Sequence, residues 1–537
     1  MGGSSSTERR PPAELQEQES LATSTGSLNF LKSAFDNLSD PQSQSIPLSS
    51  LRQSLSLIPV NLAPSSPPSA PEFPLLLPHL GPAVAELFFA AGKNGADWTA
   101  FLRGFNRCCA PMPMPTSLNL VYRIFSDACR RAEIACRLEF DPDDADGMKV
   151  GGSFGASDLL MFLWYCWIME QSPRLSTREA DEELILPELS HMLISAFVAC
   201  GEIGDDESVW EFDQLVVGKS VAVQKLNGWV LAMAFGLVSC FPQFLREKIK
   251  AIAFLGVNLK NSNISGGSGS SMDINDSFLL THGRSWAISL TQRSILREEF
   301  SAASIPGLLN HRNLLYRSST HGKGLSRFWS KVEGYHGPLL FLFSGYSADS
   351  TNGKKSKQNW VIGILTENGF ENKDTYYGNS AHLYAISPIF RVLSPTGNEK
   401  NFLYSHLRPT GRVYEASLKP VGLAFGGVGG NERIFIEDDF STVIIRHHVV
   451  DKTYQHGSLV PNQGYLPVEA KLVEAEAWGF GGSSAQNQQD AFKKREDLFT
   501  EQRRRVDLKN FSSWEDSPEK IMMDMVSDPN RVQRVDR

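Results

Sequence analysis

The spacing of the apolar residues changes along this chain, and that change limits the folds that it can adopt. Near the start, apolar residues such as Leu28, Leu31 and Phe35 recur at intervals of three and four, which is the period of an amphipathic helix. From Asn313 on, short apolar runs alternate with Gly, Asn, Pro and Asp, as in antiparallel strands joined by turns. The sequence therefore predicts an α+β protein, with an all-α region over residues 27–259 followed by a β-sandwich of two antiparallel sheets.

The composition of successive segments indicates further boundaries within the 537 residues. Residues 1–26 are polar and rich in Ser and Thr, and we expect them to be disordered. Residues 260–276 are rich in Gly and Ser, which is typical of a flexible linker, so the β-region is expected to occupy residues 277–482. The charged segment 483–537 is predicted to form a helix as far as about Val506, followed by a polar tail.

Charge and cysteine content exclude some classes of protein. The formal net charge is −8, whereas nucleic-acid binding usually needs a basic balance, so no nucleic-acid partner is expected. All seven cysteines lie in the first half of the chain at irregular spacings. An odd number without a C-x-x-C pair is more consistent with buried thiols in a reducing compartment than with a disulfide framework.

One uncharged stretch, Leu226–Leu245, has 20 residues and is long enough to cross a bilayer. Its polar residues and Pro242 argue against a membrane span, because proline is expected to end the helix near Phe241. The remaining apolar helix, of about 15 residues, has the length of a buried core helix. We therefore predict a core helix at this place.

A cluster of glycines raises the question of a phosphate site. Gly426, Gly427, Gly429 and Gly430 precede the run RIFIEDDF. No Lys follows them as a P-loop requires, and their spacing fails the dinucleotide fingerprint. The run behind them is strand-like, so no helix N-terminus would face an anion. The pattern predicts a glycine-rich bend or bulge, where the backbone needs positive φ or close approach.

Three carboxylates of the β-region could serve an enzyme. Glu437 opens an acidic triplet, while Glu474 and Glu476 would share one face of a strand. A general acid–base pair is conceivable there, but the sequence identifies no nucleophile or electrophile beside it. We assign no catalytic residue and keep an enzyme that uses these three carboxylates as an alternative.

Histidines in the β-region suggest a metal site. His447, His448, Asp451 and His456 lie close together in the sequence and are of the residue types that bind zinc. Neighbouring side chains in a strand point to opposite faces, so His447 and His448 would not share one ion. The same geometry separates the carboxylates of residues 437–439. Solvated strand ends are the favoured interpretation, and no metal or other cofactor is expected.

The stretch EFDPDDADGMKV, Glu139–Val150, resembles a calcium loop. An EF-hand loop needs oxygen ligands at both ends and Gly at its sixth position. With Gly147 at the sixth position, Pro142 and Ser153 stand at the two ends, and the frame that begins at Asp141 also fails. We predict EF-hand-like helix pairs kept for packing, with a calcium-responsive regulator as a third hypothesis.

The predicted C-terminal helix carries a narrow apolar stripe among charges. Its candidate partner-binding residues are two aromatic side chains and a basic cluster: Phe492, Phe499, Arg503, Arg504 and Arg505. A solvated helix face is the simplest interpretation. The basic residues could also form a nuclear-import signal, and the helix could dock into the groove of a partner.

The chain opens with MGGSSSTERR. Gly2 and Ser6 fit the pattern of N-myristoylation, which makes Gly2 a candidate lipidation site. The alternative is a polar start that carries a glycine at this position by chance. A single myristoyl chain binds a membrane only marginally, so the pattern predicts peripheral and reversible membrane contact.

Four segments in order resemble the TLDc domain family. They are LLYRSSTHGKGLSRFW (Leu314–Trp329), YYGNSAHLYAISPIFRVL (Tyr376–Leu393), LAFGGVGGNERIFIEDDFS (Leu423–Ser441) and VEAKLVEAEAWGFGG (Val468–Gly482). The third segment contains the glycine cluster, and the fourth contains Trp478 and Gly479, which match the closing motif of the family. Ala424 departs from the family pattern, which usually has Gly there, but the strand pattern is kept.

The resemblance implies a fold and a set of functions. It implies a β-sandwich that is flanked by helices and has no agreed active site. It also implies a role in oxidative-stress resistance and binding to the vacuolar-type proton ATPase. The whole layout is similar to that of myristoylated lysosomal TLDc proteins associated with target-of-rapamycin signalling and to their plant relatives. In the similar lysosomal proteins, the C-terminal helix also contacts the proton pump.

We therefore predict a non-enzymatic adaptor or regulator at endomembranes that binds the vacuolar-type proton ATPase and acts in stress or growth signalling. The expected location is cytoplasmic and peripheral on the vacuole, lysosome or another endomembrane, with nucleus or nucleolus as the alternative. An oxidative-stress factor with an undefined enzymatic activity is the alternative function. No small-molecule substrate is identified.

Overall fold

The computed structural model describes residues 13–57, 62, 70–90, 95–141, 149–176, 183–254, 278–305, 313–347, 359–407, 419–514, 522 and 526. Three features predicted from the sequence lie outside these residues or mostly outside them. They are the Gly2 start, the linker at residues 260–276, and the calcium-like loop, of which residues 142–148 are not described.

The α-helices of the described residues are α1 Ala13–Ser24, α2 Leu28–Leu38, α3 Leu48–Ser54, α4 Phe73–Leu76, α5 Leu80–Val84, α6 Trp98–Cys109, α7 Met114–Arg131, α8 Ala156–Leu175, α9 Ser190–Ala199, α10 Phe212–Leu215, α11 Val223–Met233, α12 Leu237–Phe254, α13 His282–Ser289, α14 Ser294–Ala303, α15 Ser318–His321, α16 Leu325–Val332 and α17 Gly482–Trp514. Short 3₁₀ helices cover Leu77–His79 and Glu207–Glu211, and a π-helical turn covers Ala85–Phe89.

The strands are β1 Leu138–Phe140, β2 Val150–Gly155, β3 Ser220–Ala222, β4 Leu314–Arg317, β5 Leu339–Ser347, β6 Trp360–Thr366, β7 Lys373–Tyr377, β8 Ala381–Ser387, β9 Arg391–Leu393, β10 Leu403–His406, β11 Gly422–Val428, β12 Asn431–Glu437, β13 Thr442–Ile445 and β14 Val468–Gly479. The first three form a small antiparallel sheet, and the others form a second sheet.

Helices dominate the region before residue 255. Helix α8 lies at its centre and is buried on all sides from Leu159 to Ser172, which is why its sequence shows no polar face. Antiparallel pairing joins neighbouring loops, as between Ile46 and Ala96 and across β1–β2–β3. The all-α prediction missed this small sheet, because β2 reads VGGSFG and glycines are rare in strands.

The uncharged stretch Leu226–Leu245 forms parts of two helices. Among the described helices, no single one is long and apolar enough to cross a membrane. Helices α11 and α12 together have the required length and apolar composition, but they are bent by 80° relative to each other. The prediction that Pro242 ends a helix is wrong, since α12 continues through it. The carbonyl of Val238, which proline leaves without its helical partner, accepts a hydrogen bond from the Ser117 hydroxyl at 2.7 Å.

The break between these two helices falls near Gly236 instead. Its N–H donates to the carbonyl of Leu290 at 2.9 Å. A Cβ at Gly236 would lie 2.8 Å from the Cα of Leu290, so the backbones meet more closely there than a larger residue allows. Packing against the segment after α13 thus decides where the helix stops.

The apolar spacing of residues 177–199 predicts one helix, but the helix that forms there is shorter. Among its described residues, only Ser190–Ala199 is helical. Leu184 forms a parallel bridge with Leu62, and the residue before Pro187 is biased away from helical geometry. Helical periodicity alone therefore overestimated this element.

The second sheet has eleven antiparallel strands in the order β7-β10-β11-β12-β13-β14-β5-β6-β8-β9, with β4 paired to β14. The sheet curls so that one face encloses a core of its own, which includes Phe341, Phe343, Phe425 and Ile436. The predicted two layers are therefore halves of one hydrogen-bonded sheet. The predicted α+β architecture, helical first and antiparallel afterwards, is confirmed.

The helical region covers part of the outer face of this sheet. On β5, Phe341 and Phe343 face the enclosed core, while Leu340 and Leu342 belong to the core of the helical region. Hydrogen bonds cross the same boundary, since Ser195 of α9 donates to the carbonyl of Phe390. The helices and this half of the sheet thus share one hydrophobic core.

Candidate functional site

The glycine cluster forms a hairpin between β11 and β12. Val428 pairs with Asn431, so Gly429 and Gly430 make the two-residue turn between the strands. A strand follows the glycines, so no helix N-terminus faces them. The geometry of a helix-borne phosphate cradle is therefore missing at this hairpin.

Gly426 and Gly427 lie inside β11 with positive φ of +67° and +78°. A Cβ on Gly426 would stand 2.9 Å from the ring of Tyr454. Both the backbone conformation and the close ring require glycine at this position. The cluster therefore lets the loop that contains Tyr454 pack directly on the sheet.

A buried ion pair holds that loop, and the sequence did not identify it. The Arg433 Nη1 atom lies 2.6 Å from the Asp451 Oδ2 atom, with the two side chains 0% and 1% exposed. Asp451 Oδ1 accepts the backbone N–H groups of Thr453 and Tyr454, each at 2.9 Å, and Arg433 also donates to the carbonyl of Gly457. These hydrogen bonds compensate the cost of burying both charges.

The histidine cluster is only partly assembled. His447 Nε2 and His456 Nε2 lie 3.2 Å apart, but His448 turns toward Asp451, whose carboxylate already binds Arg433. Burial lowers the pKa of His447 and of His448. Within the part of the chain that the structure describes, no three His, Cys, Asp or Glu side chains are placed to hold a metal.

The acidic triplet marks the end of a strand. Glu437 is the last residue of β12, and the carbonyl of Asp438 accepts the Leu325 N–H at 2.6 Å. Asp439 Oδ1 accepts the N–H of Ser441 at 2.8 Å, which closes the turn into β13. Within the triplet, the Asp439 carboxylate thus closes a turn, and the backbone carbonyl of Asp438 holds the start of α16.

Glu474 is engaged by the start of α15. Its Oε1 atom accepts hydrogen bonds from the Ser318 hydroxyl and, at 2.9 Å, from the Ser319 N–H, while its Oε2 atom lies 3.6 Å from Arg317 Nε. Burial opposes ionisation, but these hydrogen bonds prevail and lower the pKa of Glu474. The carboxylate therefore accepts from a short helix of its own domain.

Glu476 is wholly buried and fastens a preceding segment to the sheet. Its carboxylate accepts the N–H groups of Leu279 and Leu280, at 2.9 and 3.4 Å, and the Trp478 indole N–H at 2.9 Å. Arg317 Nε lies 3.6 Å away. Burial raises the pKa of Glu476, although these donors act to lower it. Its acceptor atoms are thus occupied within the protein, as expected for a structural residue.

Trp478 and Gly479 end the long strand β14. The Trp478 side chain is 2% exposed, and its ring packs edge-on against Phe278 at a centroid distance of 5.6 Å. A Cβ on Gly479 would meet the Tyr335 ring at 2.6 Å. Both residues therefore join the sheet to the segments around it.

The first turns of α17 are anchored on the sheet domain. Gln489 Nε2 donates to the carbonyls of Lys331 and Glu333, at 2.8 and 3.2 Å, and so caps the C-terminus of α16. The ring of Phe492 covers Gly334, where a Cβ would lie 2.5 Å from Phe492 Cδ1. Phe492 thus contacts its own domain, and the sequence did not identify Gln489 in this role.

Beyond the anchor, residues 494–505 form an exposed arm. Every side chain in this arm is exposed, with Leu498 58% and Phe499 63% accessible. Phe492, Arg495, Phe499 and Arg503 line one shallow groove along the helix. Arg505 pairs with Glu501 one turn away on the same helix, and Arg504 is exposed beside it.

Residues 292–481 match the family model of the TLDc domain. The curled sheet therefore lies within a TLDc domain, which covers residues 292–481 of the chain. This assignment points to a role of the TLDc-family kind, in regulation or oxidative-stress resistance. No curated protein shows a significant match to the chain.

Proposed function

We propose that this protein is a non-enzymatic TLDc adaptor that binds the vacuolar-type proton ATPase at an endomembrane and acts in stress or growth signalling. The observation that carries the proposal is the exposed arm of α17. A helix that is anchored at one end and unpartnered along the next three turns has the form of a helix-in-groove ligand.

The composition of the arm supports a protein partner. Its residues 494–505 contain five basic and three acidic side chains, in a chain whose formal net charge is −8. Leu498 and Phe499 stay exposed among them. Aromatic and arginine side chains dominate the binding energy of many interfaces, and the arm presents both on neighbouring turns.

The carboxylates favour an adaptor over an enzyme. Glu474 and Glu476 accept hydrogen bonds from backbone and side chains of their own domain, and Glu437 lies on β12, with β13 between it and β14. A general acid or base must reach the proton that it moves. The carboxylates of Glu474 and Glu476 instead join secondary-structure elements of the protein.

Co-purification of the proton pump with full-length variants tests the proposal. We expect a chain that ends at Lys493, which keeps the anchor of α17, to lose at least about 10-fold in pump binding, and Leu498→Ala/Phe499→Ala to weaken it by a similar amount. Reversal of Arg503, Arg504 and Arg505 to Glu is expected to weaken binding most at low salt.

The matched control is Ile295→Ala. Ile295 is 72% exposed on α14, so its substitution removes a comparable apolar surface outside the arm. Pump binding by the truncated chain equal to that of the full chain would refute the role of the arm. Equal loss in the control would show a non-specific effect of exposed apolar surface.

Membrane attachment through acylated Gly2 is the second part of the proposal. A fluorescent fusion is expected to decorate vacuolar or lysosomal membranes, and Gly2→Ala is expected to move it to the cytosol because a myristoyl chain supplies a marginal but necessary anchor. A nucleolar signal in both versions would instead support the alternative location. Partition of both versions with the membrane fraction would contradict a role for Gly2.

The enzymatic alternative has a direct test of its own. Glu437→Gln/Glu474→Gln removes two of the three candidate carboxylates and avoids the wholly buried Glu476. If stress protection in cells depends on general acid–base catalysis by this group, the double variant should lose it while pump binding persists. Unchanged protection together with arm-dependent binding supports the adaptor.

A further inference from the structure

Two histidines from different segments meet beside the end of β13. His447 follows this strand, which ends at Ile445, and His456 lies in the loop that leads toward β14. Their Nε2 atoms are 3.2 Å apart, and their ring centroids are 4.7 Å apart. The strand geometry that separates His447 from its neighbour His448 does not apply to this pair, because His456 comes from another segment.

Hydrogen bonds hold the backbone on both sides of His456. The N–H of Gln455 donates to the carbonyl of Ser394 at 2.8 Å, and the carbonyl of Gly457 accepts from the side chain of Arg433. Arg433 is itself wholly buried in the ion pair described above. The loop therefore has a defined position on the sheet, and the exposed His456 side chain is carried by a fixed stretch of backbone.

The sheet and an aromatic ring hold His447. The N–H of the preceding residue, Arg446, donates to the carbonyl of Arg433 at 2.8 Å. The His447 ring stacks on Tyr465, with a centroid distance of 5.0 Å and an interplanar angle of 24°. Its Nδ1 atom is buried, whereas its Nε2 atom faces His456. Both rings are thus positioned by packing and backbone hydrogen bonds, as binding sites require.

The separation of the two nitrogens suits a shared metal ion. Bonds from zinc to imidazole nitrogen are about 2.0–2.1 Å long. Two such bonds to atoms 3.2 Å apart meet at the metal with an angle of about 100°. This angle lies between those of tetrahedral coordination, which zinc prefers, and square-planar coordination, which copper(II) prefers. One ion can therefore bind both rings after only small rotations of the side chains.

The donor atoms select the class of ion. Imidazole suits copper, nickel and zinc, whereas magnesium and calcium prefer oxygen ligands. His448 does not join the pair, because it turns toward Asp451, and among the described residues no third His, Cys, Asp or Glu completes a metal cluster. An ion held by two protein ligands keeps positions for water or for a donor atom of another molecule.

We propose that His447 and His456 form an open, exchangeable two-histidine site for a divalent transition-metal ion, which binds copper(II) more tightly than zinc. The order follows from the general rise in affinity toward copper(II) among the first-row divalent metals. The site lies on the sheet domain, and it does not depend on pump binding by α17 or on acylation of Gly2. A bound ion would tie the end of β13 to the loop that contains His456.

Calorimetric titration of the untagged full-length protein with copper(II), zinc and magnesium chlorides tests the site. We expect one equivalent of copper(II) to bind at least about 10-fold more tightly than zinc, and magnesium to give no binding heat. His447→Gln and His456→Gln should each weaken copper(II) binding by at least about 10-fold, because loss of even a second-shell partner typically costs about 10–100-fold. Unchanged affinity in either variant would overturn the proposal.

The matched control is His336→Gln. His336 is an exposed histidine at a distant place in the sequence, so its substitution removes an accessible imidazole and leaves the pair intact. We expect copper(II) affinity to stay within about 2-fold of wild type, and circular dichroism to show that all three variants are folded. A loss as large as that of His456→Gln would show adventitious binding to surface histidines and would also overturn the proposal.

Electron paramagnetic resonance of the copper(II)-loaded protein identifies the ligands directly. At one equivalent of copper(II), we expect nitrogen couplings from two bound imidazoles in the wild type and from one in His447→Gln or His456→Gln. A spectrum of the wild type with one imidazole or none would contradict a shared ion. The histidine pair would then be only a hydrogen bond between the two rings, which the 3.2 Å separation also permits.

Discussion

The half of the curled sheet that helices cover differs from the half that they leave open. In β6, every residue from Trp360 to Thr366 is buried, because one face meets the enclosed core and the other meets the helical region. In β13, burial alternates from Thr442 to Ile445, because one face meets solvent. The difference shows that the N-terminal helices act as structural partners of the TLDc domain.

The connection between the helical region and the sheet depends strongly on a single carboxylate. Glu476 connects β14 to the segment that precedes α13, through the N–H groups of Leu279 and Leu280. We expect Glu476→Ala to lower the free energy of unfolding by about 3–5 kcal/mol, because it leaves buried N–H donors without their acceptor and removes one of the two carboxylates beside Arg317. Chemical denaturation followed by tryptophan fluorescence measures this loss.

The control for this change is Glu469→Ala on the same strand. Glu469 is exposed, so its removal should change stability by less than about 0.5 kcal/mol. An equally small effect at Glu476 would show that the helical region does not rely on this connection.

Substitutions on the outer face of the sheet test the difference between its covered half and its open half. Leu340 on β5 is wholly buried under the helices, so Leu340→Ala should cost about 2–5 kcal/mol. Ile444, on the open half, is only half-buried, and Ile444→Ala should cost less than about 1.5 kcal/mol. Urea unfolding of both variants gives the two values. Similar losses at both positions would erase the distinction between the two halves.

The glycine hairpin offers a pair of matched positions in the open half. Gly426→Ala places a Cβ 2.9 Å from the Tyr454 ring at a φ of +67°, and we expect a loss of about 1–3 kcal/mol. At Gly429 nothing lies within 4 Å of such a Cβ, so Gly429→Ala should stay within about 0.5 kcal/mol. Thermal unfolding distinguishes them, and equal melting temperatures would contradict a packing role for Gly426.

A smaller effect is expected from pH in the helical region. The hydrogen bond from Arg131 is the main cause that lowers the pKa of Glu86, whose Oε1 also lies 2.7 Å from Arg52 Nη2. Because the folded pKa is below the unfolded value, this contribution is present above the unfolded pKa and is lost as pH falls through the folded pKa.

We expect Glu86→Gln to reduce stability by about 0.5–1 kcal/mol near pH 7, because the side chain is partly exposed and screened by solvent. The gap between wild type and variant should narrow as pH is lowered below about 4. Urea midpoints measured across this range check the sign, and a gap that widens in acid would contradict the lowered pKa.

Local patterns were sufficient for much of the fold. Helix α2 runs from Leu28 to Leu38, where three- and four-residue spacing predicted it, because such spacing puts apolar side chains on one helical face. The turn at Gly429 and Gly430 likewise follows from local chemistry. Pro242 shows the limit, since a distant Ser117 hydroxyl accommodates a residue that local rules treat as a helix end.

The candidate sites show the same division. The sequence indicated Phe499 and the arginines of the α17 arm, which are exposed, but it grouped Phe492 with them although that ring packs on Gly334. It also gave no sign that Arg433 meets Asp451.

The amino-acid sequence alone was enough to establish the order of helices and strands, the family of the sheet domain and the charged nature of α17. These properties depend on spacing and residue type, which are local. The folded structure was needed to show which carboxylates are anchors and which face of β5 the helices cover. Such contacts depend on how distant segments pack, and no local pattern records the distance between them.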